Sequence, residues 1–202
     1  MDKFDIKSDF TKYKQLFLEE NSKHNLISKN DEKFLYEKHI YDSLAIKLFF
    51  EKYGKKDNST LLDIGTGGGF PSIPIAIEFG DIKVTGLDSI RKKINSINVI
   101  KNKLKLENLD TICARAETLK DKKYDIITSR AVAKLAEISK YAIPLLKNDG
   151  YFLAYKSKKA KEEIEEAKFK IKQCRAEIID IIEYTLPTEE VYERNLIVIK
   201  KI

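Results

Sequence analysis

The chain has 202 residues, 43% of them hydrophobic, with only eight glycines and four prolines; this makes one ordered domain with a full core plus an appendage and leaves little room for flexible linkers. Its 38 lysines and arginines outnumber 32 acids for a formal charge of +6, which suits a polyanionic partner without requiring one. Two cysteines, Cys113 and Cys174, and two histidines, His24 and His39, exclude a disulfide framework and argue against a metal enzyme.

No run approaches the roughly 18 apolar residues of a membrane span. Lys and Asp interrupt the start of the chain where a signal peptide would need an apolar stretch, so the expected compartment is the cytoplasm. The first periodic segment, 9–20, places apolar residues at 10, 13, 16 and 17 and predicts a helix. Asn21 to Asn30 reads as a polar break, and Asp31 as the cap of a second helix running to about Tyr53. Residues 1–58 thus form a helical extension, and 59–202 the main domain.

From Thr60 short apolar runs alternate with helical segments, as a parallel α/β sheet requires. Strands are expected at 60–64, 83–87, 109–114 and 124–128, with helices at 71–79, 90–105 and 135–146. Asn148-Asp149-Gly150 reads as a turn. A fifth strand at 151–156, a charged helix at 158–172 and two closing strands at 175–184 and 193–201 complete the chain.

The stretch Leu61 to Phe70, Leu-Leu-Asp-Ile-Gly-Thr-Gly-Gly-Gly-Phe, joins the first strand to its helix. Glycine turns at positive φ and lets a ligand come against the backbone, and such a corner presents free N–H groups at the strand's carboxyl end. A dinucleotide fingerprint would want its third glycine at 70, where this chain has Phe. Asp63, two residues before the turn, is expected to face the crevice, repelling a pyrophosphate and attracting a cationic ligand. Asp63, Gly65 and Gly67 together suit S-adenosylmethionine better than NAD; a ligand-free glycine turn, or another nucleotide, is the plainer alternative.

Further along the same edge, Asp88 ends the second strand, where an acid takes ribose hydroxyls; capping the next helix is an equal role for it. Ala116-Glu117 offers a backbone N–H and a carboxylate to an adenine, or is an ordinary loop. Arg130, ending the fourth strand, suits a cofactor carboxylate or a substrate phosphate, with a surface salt bridge as the bland reading. The chain lacks the Asn/Asp-Pro-Pro-aromatic element of amino-group methylation and a nucleophilic cysteine at this edge. An acceptor with its own lone pair, such as a ring nitrogen, then needs only alignment. Basic residues at 91, 92, 93, 101, 103 and 105 and around Lys156 to Lys161 either track a phosphate backbone or form a solvated face.

The seven strands resemble the Rossmann-like sheet of class I S-adenosylmethionine-dependent methyltransferases, here with an N-terminal helical extension. Nearly the whole chain resembles the bacterial 16S ribosomal RNA guanine-N7 methyltransferases, also called glucose-inhibited division protein B. The marks are Asn25-Leu26, His39-Ile40-Tyr41-Asp42-Ser43-Leu44, Asp63 to Pro71, Leu87-Asp88-Ser89, Arg115-Ala116-Glu117, Ser129-Arg130-Ala131, Lys156 and Arg194. Gly68 stands where many members have Pro, and Phe70 where some have Leu. The resemblance implies methyl transfer from S-adenosylmethionine to N7 of a guanine in 16S RNA or the small ribosomal subunit; beside it stands the expectation of a monomer without metal or membrane attachment. It implies cofactor contacts at Gly65, Phe70, Ala116, Glu117 and Arg130. His39 and Asp42, three apart on one helical face, are expected to line the substrate side with Arg130, Lys156 and Arg194; a buried histidine satisfied by its neighbour is the alternative. A small-molecule methyltransferase of the same fold is the rival enzyme, and an RNA-binding module that has lost its cofactor the non-catalytic rival.

Overall fold

The computed structural model describes residues 4–120, 122–158 and 160–202, leaving aside the side chain of Lys161. The strands are β1 (Thr60–Ile64), β2 (Lys83–Asp88), β3 (Leu109–Cys113), β4 (Tyr124–Arg130), β5 (Leu146–Ser157), β6 (Ala176–Thr185) and β7 (Glu193–Lys201). They form one sheet in the order β3-β2-β1-β4-β5-β7-β6. β1 to β5 run parallel, and β7 inserts antiparallel between β5 and β6. The chain steps outward from β1 to β3 and then returns to the other side of β1 as β4. This reversal opens a crevice at the carboxyl ends of β1 and β4, where ligands of open α/β sheets bind.

Alternation along the strands feeds two apolar layers. Leu62 and Ile64 of β1 pack with α6 (Leu135–Ala142) and α7 (Ala160–Gln173), whereas Leu61 packs on the opposite face. That opposite face is covered by α1 (Thr11–His24), α3 (Ile46–Tyr53), α4 (Ser72–Glu78) and α5 (Arg91–Leu104). The N-terminal helices therefore share one continuous core with the sheet. No helix among the described residues is long and apolar enough to cross a membrane.

The extension departs from its expected shape. α1 continues past Glu20 to His24 because Glu20 and Asn21 are buried. The Asn21 side chain donates to Glu32 at 2.7 Å and accepts from the Ile27 amide at 2.8 Å, so the supposed break is a tied turn. Ser28, not Asp31, caps the short α2 (Lys29–Glu32), accepting from the Asp31 amide and donating to its carboxylate. The single helix expected to Tyr53 is interrupted by a π-helix, Leu35–Tyr41, before α3 begins. Such wide turns are rare and cluster at functional sites; this one carries His39.

Asn148-Asp149-Gly150 is not a chain reversal. Both of its flanks pair with β4, whose register moves from Tyr124 to Ile126 while β5 moves from Leu146 to Tyr151. The extra residues become a bulge inside β5, with Asp149 at φ 60°. The other strands begin and end within two residues of expectation, and the helix expected at 135–146 ends in a 3-10 turn at Ile143–Leu145.

Candidate functional site

The loop after β1 is bolted to the end of β2: the amides of Gly65 and Thr66 both donate to the Leu87 carbonyl, at 2.8 and 2.9 Å. Gly65 takes φ +73°, and a Cβ there would stand 2.3 Å from Val132 Cγ2. Only glycine lets the segment after β4 close this tightly on the loop. Between them lies a crevice of about 570 Å³. Gly65, Gly67, Phe70 and Asp88 line it from one side, and Ala116, Glu117 and Arg130 from the others.

Asp63 does not face this crevice. Strand alternation turns it away from Leu62 and Ile64 and into the opposite layer, where it is fully buried beneath the loop. The Thr128 hydroxyl donates to its Oδ1 at 3.0 Å, and among the described residues Oδ2 has no hydrogen-bond partner. Burial pushes its carboxyl up to about 6. Asp88 does lie in the wall, with both oxygens engaged: Oδ2 accepts from the Gly67 amide and Oδ1 from the Ile90 amide, each at 2.9 Å. One carboxylate thus ties the residue before α5 to the glycine loop without capping the helix, and the second lone pair of each oxygen remains for a ligand.

Arg130 stands at the inner end of the crevice. Its Nη1 donates to the Lys38 carbonyl and to Asp42 Oδ2, both at 3.0 Å, and its Nη2 lies 3.0 Å from His39 Nδ1. Guanidinium can only donate, so Nδ1 accepts and the ring proton sits on Nε2. Burial first, and the Arg130 charge second, lower the His39 pKa to about 4, leaving a neutral ring. The rings of His39 and Phe70 are 5.0 Å apart, and Arg130 Cζ is 5.2 Å from the Phe70 centroid.

Beyond Arg130 a second cavity of about 660 Å³ opens. It shares His39, Arg130 and the 131–133 segment with the first. Asp42, Lys156 and Arg194 line it too, so the structure gathers all five expected substrate-side residues around one space. Arg194 Nε is 3.8 Å from Asp42 Oδ1. Lys156 is less available than expected, with a side chain only 11% exposed. Its ammonium is 2.6 Å from Glu163 and donates to the Ala133 carbonyl at 2.7 Å. Of the neighbouring basic run, Lys159 and the side chain of Lys161 lie outside the described residues. On α5, Lys101 and Lys103 pair with Asp110 and Glu19, while Lys93 reaches the first cavity.

The sequence model for rRNA small subunit methyltransferase G (GidB) matches residues 6–192. The chain belongs to that family. It is 44% identical over 197 residues to the ribosomal RNA small subunit methyltransferase G of Bacillus licheniformis, covering 95% of this chain and 81% of that protein. The Staphylococcus saprophyticus relative of the same name is 42% identical over 196 residues, covering 95% and 80%. Solved structures are similar in fold alone. M. jannaschii TYW2 in complex with AdoMet has a TM-score of 0.62 at 17% identity, over 79% of this chain and 77% of that one. Coclaurine N-methyltransferase bound to N-methylheliamine and SAH gives 0.61 at 10%, over 80% and 73%. The [4+2]-cyclase SpnF gives 0.63 at 14%, over 80% of each chain, so the scaffold by itself does not specify a reaction.

In this member of the rRNA small subunit methyltransferase G family, three site residues escape a reading of the sequence. Tyr184 donates to Asp42 Oδ1 at 2.7 Å, and β6–β7 register sets it opposite Arg194. Glu163 receives Lys156 and the Leu135 amide at 2.9 Å. Tyr192 lines the second cavity. None has a local motif: Tyr184 is brought in by pairing across the sheet, Glu163 by a helix packed on it, and Tyr192 by the loop between β6 and β7.

Proposed function

We propose that this chain transfers a methyl group from S-adenosylmethionine to N7 of a guanine in 16S ribosomal RNA, acting as a cytoplasmic monomer. Residues 59–202 form the catalytic domain in this reading, with 1–58 as its helical extension. Family membership supports the substrate class. The observation that carries the reading is the pair of cavities meeting at His39, Arg130 and the 131–133 segment.

The first cavity fits the cofactor on its own residues. Gly65 and Gly67 line it without side chains, with nothing nearer than 3.9 Å to where a Gly67 Cβ would stand, and Asp88 holds spare lone pairs for ribose hydroxyls. Ile90 and Val132, 41% and 44% exposed, offer apolar surface on the same walls. Gly67, Phe70, Ala116 and Glu117 complete the contacts. Arg130, with three of its five donors engaged, would meet the methionine carboxylate. Asp63 would act from below by supporting the loop.

Bound there, S-adenosylmethionine supplies a methyl group already activated by a positive sulfur. Guanine N7 carries an in-plane lone pair, so no proton has to leave before attack and no general base is required. The neutral state of His39 agrees with that economy. The chain's work is alignment: the junction residues hold the acceptor in line with the methyl, and that orientation is the main source of rate. His39, Asp42, Lys156 and Arg194 border the acceptor side.

The test is transfer of labelled methyl to 16S RNA lacking the modification, as free RNA and as small subunit, followed by mapping of the modified nucleotide. Label at N7 of one guanine is expected, weakening steeply as salt rises. Salt-insensitive transfer to a small molecule, or no transfer with cofactor demonstrably bound, would overturn the reading.

A further inference from the structure

Tyr192 lines the acceptor-side cavity, half-buried and held at its hydroxyl by two partners and at its backbone by a third. The hydroxyl donates to Glu190 Oε2 at 3.1 Å and accepts from Lys38 Nζ at 3.4 Å. Its carbonyl accepts from the amide of buried Leu186 at 3.1 Å, closing the loop between β6 and β7. A ring fixed before binding loses little conformational freedom when a flat partner lands on it.

The charges around the ring are equally specific. Lys38 Nζ sits 4.5 Å from the Tyr192 centroid and 4.2 Å from that of Phe34, and among the described residues it has no carboxylate partner. Arg194 Cζ is 5.9 Å from the same Tyr192 ring. The acids of this cavity are drawn chiefly to other partners: Asp42 to Arg130 and Tyr184, with Arg194 farther off at 3.8 Å, Glu163 to Lys156, and Asp31 to Ser28. An aromatic face with an unpaired ammonium over it and a guanidinium held only loosely by Asp42, at 3.8 Å, is a combination that binds single-stranded nucleic acid, base on ring and phosphate on cation. Duplex RNA would not serve, because both faces of a paired base are already stacked. The Lys38 carbonyl also accepts from Arg130, so one residue joins this ring to the junction of the two cavities.

We propose that Tyr192 is a stacking platform for an unpaired nucleobase flanking the target guanine, with Lys38 and Arg194 receiving the adjoining phosphates. The proposal rests on the RNA methyltransferase reading and names a contact for its substrate.

The experiment measures binding of a 16S RNA segment across a salt series, in the presence of S-adenosylhomocysteine, for the full chain and its Tyr192→Ala, Tyr192→Phe and Lys38→Met variants. Losing one stacked base should weaken binding about 5- to 150-fold without changing the slope of log affinity against log salt. Tyr192→Phe should recover most of that loss. Lys38→Met should instead flatten the slope by about one. An abasic nucleotide on one side of the guanine should reproduce the Tyr192→Ala loss, and the two changes together should cost no more than either. Wild-type affinity for Tyr192→Ala, a changed salt slope, or an equal loss of S-adenosylhomocysteine affinity would each overturn the platform while wild-type methylation still stands. A wild-type chain that holds S-adenosylhomocysteine but neither binds nor methylates the RNA would overturn the enzyme reading as well.

Discussion

Asp42 Oδ2 lies 3.0 Å from Arg130 Nη1, both side chains are largely buried, and the other Asp42 oxygen takes the Tyr184 hydroxyl at 2.7 Å. One carboxylate from the end of the π-helix thus sets the angle of the arginine at the junction of the cavities. Removing one partner of a buried pair leaves the other charge unsolvated, a cost of about 3 to 5 kcal/mol. Asp42→Ala should therefore lower stability by that order and reduce kcat/KM for RNA at least roughly tenfold, as Arg130 loses its alignment. Asp42→Asn, which keeps the shape and an acceptor for Tyr184, should lose less. Denaturant midpoints and initial rates check both; an Asp42→Ala chain as stable as wild type would show that the pair carries no net energy.

Asp88 predicts a different split. Its two oxygens hold the Gly67 and Ile90 amides, so Asp88→Ala leaves two partly buried donors without their acceptor, about 1 to 3 kcal/mol for each that water fails to reach. Cofactor affinity should fall as well, because the glycine loop loses its clamp along with any ribose contact. Asp88→Asn retains one carbonyl acceptor and should regain part of the stability. Calorimetry with S-adenosylhomocysteine beside thermal unfolding separates the two effects. Unchanged cofactor affinity in a folded Asp88→Ala chain would remove the ribose assignment.

Much of this arrangement is legible in the sequence. Buried parallel strands show as apolar runs, and the glycine corner between β1 and α4 announces itself by composition. Asp88, Ala116-Glu117 and Arg130 fall at strand ends, so a reading of strands also places them at one edge. Other features depend on partners distant in sequence. Asn148-Asp149-Gly150 has turn chemistry in either setting, and only the pairing of both flanks with β4 makes it a bulge. Asp63 reads as a crevice acid until alternation from Leu62 and Ile64 is followed through. Ser28 and Asp31 carry the same capping signal three residues apart, and packing of Asn21 against Glu32 accompanies the earlier start.

The site also predicts opposing pH effects from two buried groups. His39 is lowered from 6.5 to about 4, so the folded chain binds fewer protons than the unfolded one across that window, and stability is lost as pH falls through it. Asp63 is raised from 3.8 to about 6, so its contribution is fully present below 3.8 and is lost as pH rises through about 6. The windows overlap and the slopes, each at most about 1.4 kcal/mol per pH unit for one proton, largely cancel. Asp63→Asn should uncover the His39 effect, giving a steeper loss than wild type on acidification. His39→Gln should uncover the reverse. Urea midpoints over this pH range are the measurement, and parallel pH profiles for wild type and Asp63→Asn would refute the opposition.

The structure gives Lys156 a task other than the one its charge suggests. Its ammonium bridges Glu163 and the Ala133 carbonyl, while Glu163 also holds the Leu135 amide that opens α6. Together they brace the 131–134 segment, whose Val132 closes on Gly65. Lys156→Met and Glu163→Gln should then behave alike, each lowering kcat several-fold and weakening cofactor binding, with the salt dependence of RNA binding little changed. The double variant should be no worse than the single ones, since both break the same brace. A phosphate-binding Lys156 makes the contrary forecast: Lys156→Met flattens the salt slope by about one, and Glu163→Gln, by freeing the ammonium, tightens RNA binding. Salt titrations of the two variants side by side decide between brace and phosphate contact.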